Sequence, residues 1–236
     1  MTKVLAAHRA RNFLIASVIL TLVLYWMPFG DLISYPLVLL STLAHELSHG
    51  LMAELVGGSF QSFELHSDGS GVAKWSGNPS RLSLALVSGA GLVGPALAGA
   101  GCFVVAKRAR LARSALVFIG IGLIVALVLV IRNLFGGIFV SAVALAALAI
   151  GLKAPKELAQ LSLVFVGTQL SLSVFSRSDY LFTSVAQTAN GVMPSDTAQI
   201  ADALIGPYWL WGIVAGLVSL GVLWGGVWSF LKGAED

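Results

Sequence analysis

Charged side chains are scarce in this chain. Lys, Arg, Asp and Glu make up 11% of its 236 residues, less than half of the roughly 25% usual in soluble domains, and so low a share excludes a soluble globular protein. Cysteine is nearly absent. The single thiol, Cys102, falls in an apolar run, which excludes a disulfide framework and a thiolate metal site and leaves it a small packing residue. The cations stand in short groups at the ends of apolar runs rather than in blocks. That placement suits lipid headgroups and excludes nucleic acid as a partner. The long apolar stretches also lack polar alternation, which excludes the strands of a membrane barrel.

What remains is apolar. Hydrophobic residues make up 57% of the chain and the mean hydropathy is +0.90. The apolar runs are about 17 to 25 residues long, the length that crosses a hydrocarbon core of about 30 Å as a helix. The expected fold is therefore all-α and transmembrane, a bundle of about six or seven spans in one polytopic domain covering residues 1–236, with a small β-hairpin after the second span. A multi-pass protein of the cell membrane follows, with the lipid bilayer as its surroundings. The basic start of the chain precedes a long apolar stretch with no small-residue cleavage site, and reads as a retained first span over 12–29. A short turn is expected over 31–36, and later spans over 82–106, 114–151 (split in two at Arg132 and Asn133), 158–175 and 207–231.

The second run, 37–57, contains His45-Glu46-Leu47-Ser48-His49. Two histidines four residues apart project from one face of a helix and can bind one metal ion, with Glu46 beside them as general base toward a metal-activated water. A surface helix can carry this pattern by chance, but ionisable residues inside a membrane are costly and mark function. Gly57-Gly58 stops the helix. Residues 59–76 then alternate around Ser67-Asp68-Gly69-Ser70, the pattern of a β-hairpin with an Asp-Gly turn. His66 and Asp68 are either further ligands or plain turn residues. Gly89, Gly91, Gly94-Pro95 and Gly99 give the third span small-residue spacings for close helix approach and a kink. Arg132 and Asn133 either cap a tight helical hairpin or face the site, where Asn133 would contact substrate. The segment 176–206 is the longest polar region before the last span.

The stretches HELSHGLMAELVGG, ELHSDGSGVAKW, IRNLFGG and PSDTAQIADAL together resemble the short bacterial branch of the site-2 protease family of intramembrane zinc metallopeptidases. The resemblance implies Zn2+ as cofactor, His45 and His49 as ligands, Glu46 as the water-activating base, and cleavage of membrane-protein or peptide substrates in or near the membrane. Family members carry a third ligand as the Asp of a Leu-Asp-Gly or Asn-Pro-Asp-Gly motif in a later span. In this chain Asp-Gly occurs once, as Asp68-Gly69 in the hairpin. The remaining acids are Asp31, Glu54, Glu64, Glu157, Asp179, Asp196, Asp202, Glu235 and Asp236. Glu54 is more than two turns from His45 on the same helix and cannot close the site. Asp196 is expected as the third ligand over Asp202, because the resemblance covers the Ser195-Asp196 pair; a simple N-cap is the alternative. A catalytically inactive relative, or a polytopic protein acting by partner binding or solute transport, is the competing reading. Transport would require repeated halves with broken helices, and no such symmetry is visible in the sequence.

Overall fold

The structure is a computed structural model describing residues 2–176, 178–189 and 191–233. The order of elements is α1 Thr2–Trp26, α2 Gly30–Leu55, β1 Ser59–Leu65, β2 Gly71–Ser76, α3 Arg81–Ala106, α4 Ala109–Leu129, α5 Leu134–Lys153, α6 Lys156–Ser176, α7 Ser178–Leu181, β3 Val185–Thr188, β4 Gly191–Pro194, α8 Asp196–Ala203 and α9 Tyr208–Gly233. The chain is a helical membrane protein, with two small antiparallel hairpins, β1–β2 and β3–β4, set into the bundle.

Among the described residues, four helices, α3, α4, α5 and α9, are long and apolar enough to cross a membrane. α1 is 25 residues long, and among the described residues its apolar part covers 11–24. Of the other expected spans, α2 has the length but carries His45, Glu46, His49 and Glu54 along its run, and α6 has the length of a span. α6 turns Gln160, Thr168, Gln169, Ser171 and Ser173 into the protein, where polar side chains can meet other helices instead of lipid. The lipid-side helices are the reverse, with Phe118, Leu134 and Trp224 left 74%, 80% and 75% exposed. The turn expected at 31–36 is absent. The chain breaks earlier, at Phe29 with φ 68°, and α2 runs from Gly30 through Pro36, which forfeits a helix hydrogen bond in the second turn.

Small residues set the helix spacing, as the sequence led us to expect. A β-carbon on Gly99 would stand 2.7 Å from the Gly167 carbonyl oxygen, so α3 and α6 cross with almost no side chain between them. Gly120 meets Ala144 and Leu148 in the same way across α4 and α5.

The first hairpin lies as expected. Gly69 adopts φ 85° and its N–H donates to the His66 carbonyl, the left-handed turn that the Asp-Gly pair favours. Phe63 and Leu65 of β1 are wholly buried against Leu39, Leu43, Leu123 and Val140. The outer edge of β1 is covered by the α4–α5 connection. Phe63 N–H donates to Val130 O at 2.7 Å and Arg132 N–H to Phe63 O at 3.1 Å. Asn133 continues the pairing with its side chain, accepting from Leu65 N–H at 3.2 Å and donating to Leu65 O at 2.6 Å. An open sheet edge inside a membrane is costly, and this connection closes it.

Candidate metal centre

α2 carries His45 and His49 one turn apart, and their Nε2 atoms stand 3.0 Å from each other. Asp196, the first residue of α8, completes the group. Its Oδ2 lies 3.0 Å from His45 Nε2 and its Oδ1 3.4 Å from His49 Nε2. Two nitrogens bound tetrahedrally at 2.0–2.1 Å from a zinc ion stand roughly 3.4 Å apart. The three residues can therefore close around one small ion, and they form such a group among the described residues.

The surroundings orient each donor. His49 Nδ1 lies 2.8 Å from the Val87 carbonyl of α3; an N–H there leaves the Nε2 lone pair for a metal, the usual support for a ligating histidine. The N-cap of α8 is Ser195, not Asp196. Ser195 Oγ accepts from Ala198 N–H at 3.2 Å and donates to Thr183 O at 2.7 Å, which frees the Asp196 carboxylate to turn into the bundle, where the residue is 5% exposed. Tyr180 on α7 donates its hydroxyl to Asp196 Oδ2 at 3.3 Å and packs edge-on against the His45 ring.

Glu46 sits beside the group, 7% exposed. Its Oε2 accepts the Ala73 N–H of β2 at 2.7 Å. Gly71 lets the strand approach this closely, because a β-carbon there would stand 2.8 Å from Glu46 Cγ and 2.7 Å from Thr42 Cγ2. Thr42 Oγ1 donates to Gly69 O at 2.8 Å. On the other side, β-carbons on Gly91 and Gly94 of α3 would fall inside the His49 ring and the Ser48 side chain.

Above the group lies a cleft of about 370 Å3 onto which His45, Glu46 and Tyr180 open, and beside it a smaller one of about 100 Å3 that reaches His49 and Asp196. β2 forms one wall through Gly71 and Ala73, and β3 the other through Ala186 and Thr188. The two hairpins touch: Ala189 N–H donates to Ser70 Oγ at 3.2 Å.

The structure thus brings His45, Glu46, His49 and Asp196 together. Asn133 is engaged with the Leu65 backbone, and Arg132 caps α4 by donating to Val128 O, Leu129 O and Ile131 O. Asp68 serves its turn. It accepts from the Ser70 hydroxyl and backbone N–H, and these bonds hold its carboxyl below the usual carboxylate range. His66 pairs with Glu64 at 3.8 Å. Asp202 lends only its carbonyl, to Arg81. The side chains of Asp31 and Asp179, with Glu235 and Asp236, lie outside the described residues. Tyr180 and the β3–β4 wall were not anticipated from the sequence. Nothing local marks Tyr180, whereas the Asn190-Gly191 pair between apolar residues was a usable hairpin signal.

The family model described as Peptidase M50B-like matches residues 15–226. No curated protein and no solved structure matches the chain.

Proposed function

The chain belongs to the Peptidase M50B-like family, within the site-2 protease group of membrane peptidases, and from that premise we propose that it is an intramembrane zinc metalloendopeptidase acting on membrane-associated proteins. One observation carries the reading. A carboxylate more than a hundred residues away in sequence, Asp196, meets both histidines of the HELSH helix while Glu46 stands free of the group and beside it. A two-histidine, one-carboxylate set suits Zn2+ and leaves a coordination position open.

His45, His49 and Asp196 would hold the ion, which when bound polarises the scissile carbonyl and makes water nucleophilic near neutral pH. The remaining work belongs to the chain's own groups. Ala73 N–H fixes Glu46 through Oε2, leaving Oε1 to take the proton of the attacking water and deliver it to the departing amide nitrogen. Burial of Glu46 and Asp196 limits their contact with bulk water to what the cleft admits. An extended substrate segment laid along the β2 edge would pass over Glu46, and strand addition would hold it unwound for cleavage.

Glu46→Gln should retain about one zinc per chain by metal analysis and lose cleavage of a quenched-fluorescent peptide, whereas His45→Ala should lose both. Asp196→Ala should weaken zinc binding with helical content kept, and Asp202→Ala should bind as the parent does. Cleavage surviving in Glu46→Gln would overturn the mechanism; full zinc affinity in Asp196→Ala would remove Asp196 from the ligand set.

A further inference from the structure

The face of α2 turned away from the cleft borders a larger cavity of about 780 Å3 between α2, α3, α4, α5 and α6. Leu40, Leu43, Ala44 and Leu47 form its α2 side. The rest of the lining is almost wholly apolar, with hydroxyls only from Ser114 and Ser162 among the described residues. Both lie toward one end. There α3 and α5 finish and α4 and α6 begin, and the helix ends are tied together: Gln160 Nε2 donates to Ala106 O at 2.6 Å and Arg113 Nε to Gly151 O at 3.0 Å. Around this end the sequence places Lys107, Arg108, Arg110, Arg113, Lys153 and Lys156, with Glu157 beside them among the described residues.

We propose that this cavity is a binding site for an anionic phospholipid, its acyl chains in the groove and its phosphate at the basic helix ends. Size favours lipid over a peptide helix. A spanning helix about 30 Å long exceeds the roughly 18 Å over which the groove runs along α4. Along α4 the lining runs from Leu111 to Leu123, about 18 Å, close to one leaflet of a 30 Å core. An extended peptide is disfavoured as well, because the groove offers its amides almost nothing to pair with. The cations at these helix ends are what would select an anionic headgroup, since basic sites beside spanning helices attract such lipids. Bound chains would press on Ala44 and Leu47, the neighbours of His45 and Glu46, and so brace the HELSH helix from behind.

The test uses the full chain in mild detergent, with phosphatidylglycerol and phosphatidylcholine of identical chains as probes and native mass spectrometry as readout. Phosphatidylglycerol should be retained at least tenfold more than phosphatidylcholine. Gly101 lines the groove, and a β-carbon there meets nothing within 4 Å, so Gly101→Phe should fill the space and abolish lipid retention with an unchanged helical spectrum. Arg108→Gln with Arg110→Gln should cut the preference for phosphatidylglycerol about tenfold and carries the test alone if Gly101→Phe misfolds. Equal retention of the two lipids, or phosphatidylglycerol held as well by Gly101→Phe as by the parent, would overturn the proposal. So would a photo-crosslinker at Ala115 that captures a membrane-protein helix and no lipid.

Discussion

A missing methyl group fixes the position of His49. Because a β-carbon at Gly91 would occupy the space of its imidazole, Gly91→Ala should swing the ring off Val87 O and lower zinc affinity by about 10- to 100-fold, the usual effect of losing a supporting contact. Competition with a fluorescent zinc chelator measures it. Tyr180→Phe tests the support of Asp196 in the same assay; loss of the hydroxyl that donates to Oδ2 should weaken zinc by about tenfold or more, with cleavage restored at high zinc. At this scale the sequence was partly readable. His45, Glu46 and His49 are local, and one helical turn suffices to group them. Asp196 came within reach only through its Ser-Asp pair, since the contact that gives it meaning joins residues far apart in the chain. Gly91 was legible as a helix-packing residue, but not as the floor beneath His49. Tyr180 carried no signal at all.

Among the elements, the first hairpin works as a clamp on the cleft, and its two edges can be tested separately. On the inner edge, Ala73→Pro removes the N–H that fixes Glu46. Zinc should stay bound in this variant while cleavage falls, as peptide turnover and metal analysis on one preparation will show. On the outer edge, Asn133→Ala strips both partners from the Leu65 backbone. Leaving those buried groups unpaired should destabilise the protein by about 1–3 kcal/mol, seen as a lower thermal midpoint. The hairpin itself was plain in the sequence because alternation and an Asp-Gly turn are short-range signals. The second hairpin has strands of only four residues, too short to show alternation, and only its Asn-Gly pair betrayed it. The boundaries of α2 were misplaced because Pro36 reads as a breaker, although the helix runs through it from Gly30.

Over the whole molecule the charges separate. The end bearing Lys107, Arg108, Lys153 and Lys156 is opposite the start of α3, and Val87, the carbonyl that meets His49, lies about 9 Å along α3 from Arg81 and about 28 Å from Ala106. The positive-inside tendency then predicts that the basic end is cytoplasmic and the cleft opens toward the other face. In a Cys102→Ser background, a cysteine at Pro155 should resist an impermeant thiol reagent added to intact cells, and one at Asn78 should react; the opposite pattern refutes this orientation. The HELSH helix bears on synthesis as well. With Glu46, Glu54 and two histidines along it, that helix would not partition into lipid readily by itself, and it precedes its partner α3 in the chain. The growing chain must therefore keep α2 out of the lipid phase, at the insertion channel, until α3 emerges with Gly91 and Gly94 to receive it. Truncation before residue 81 should leave α2 uninserted.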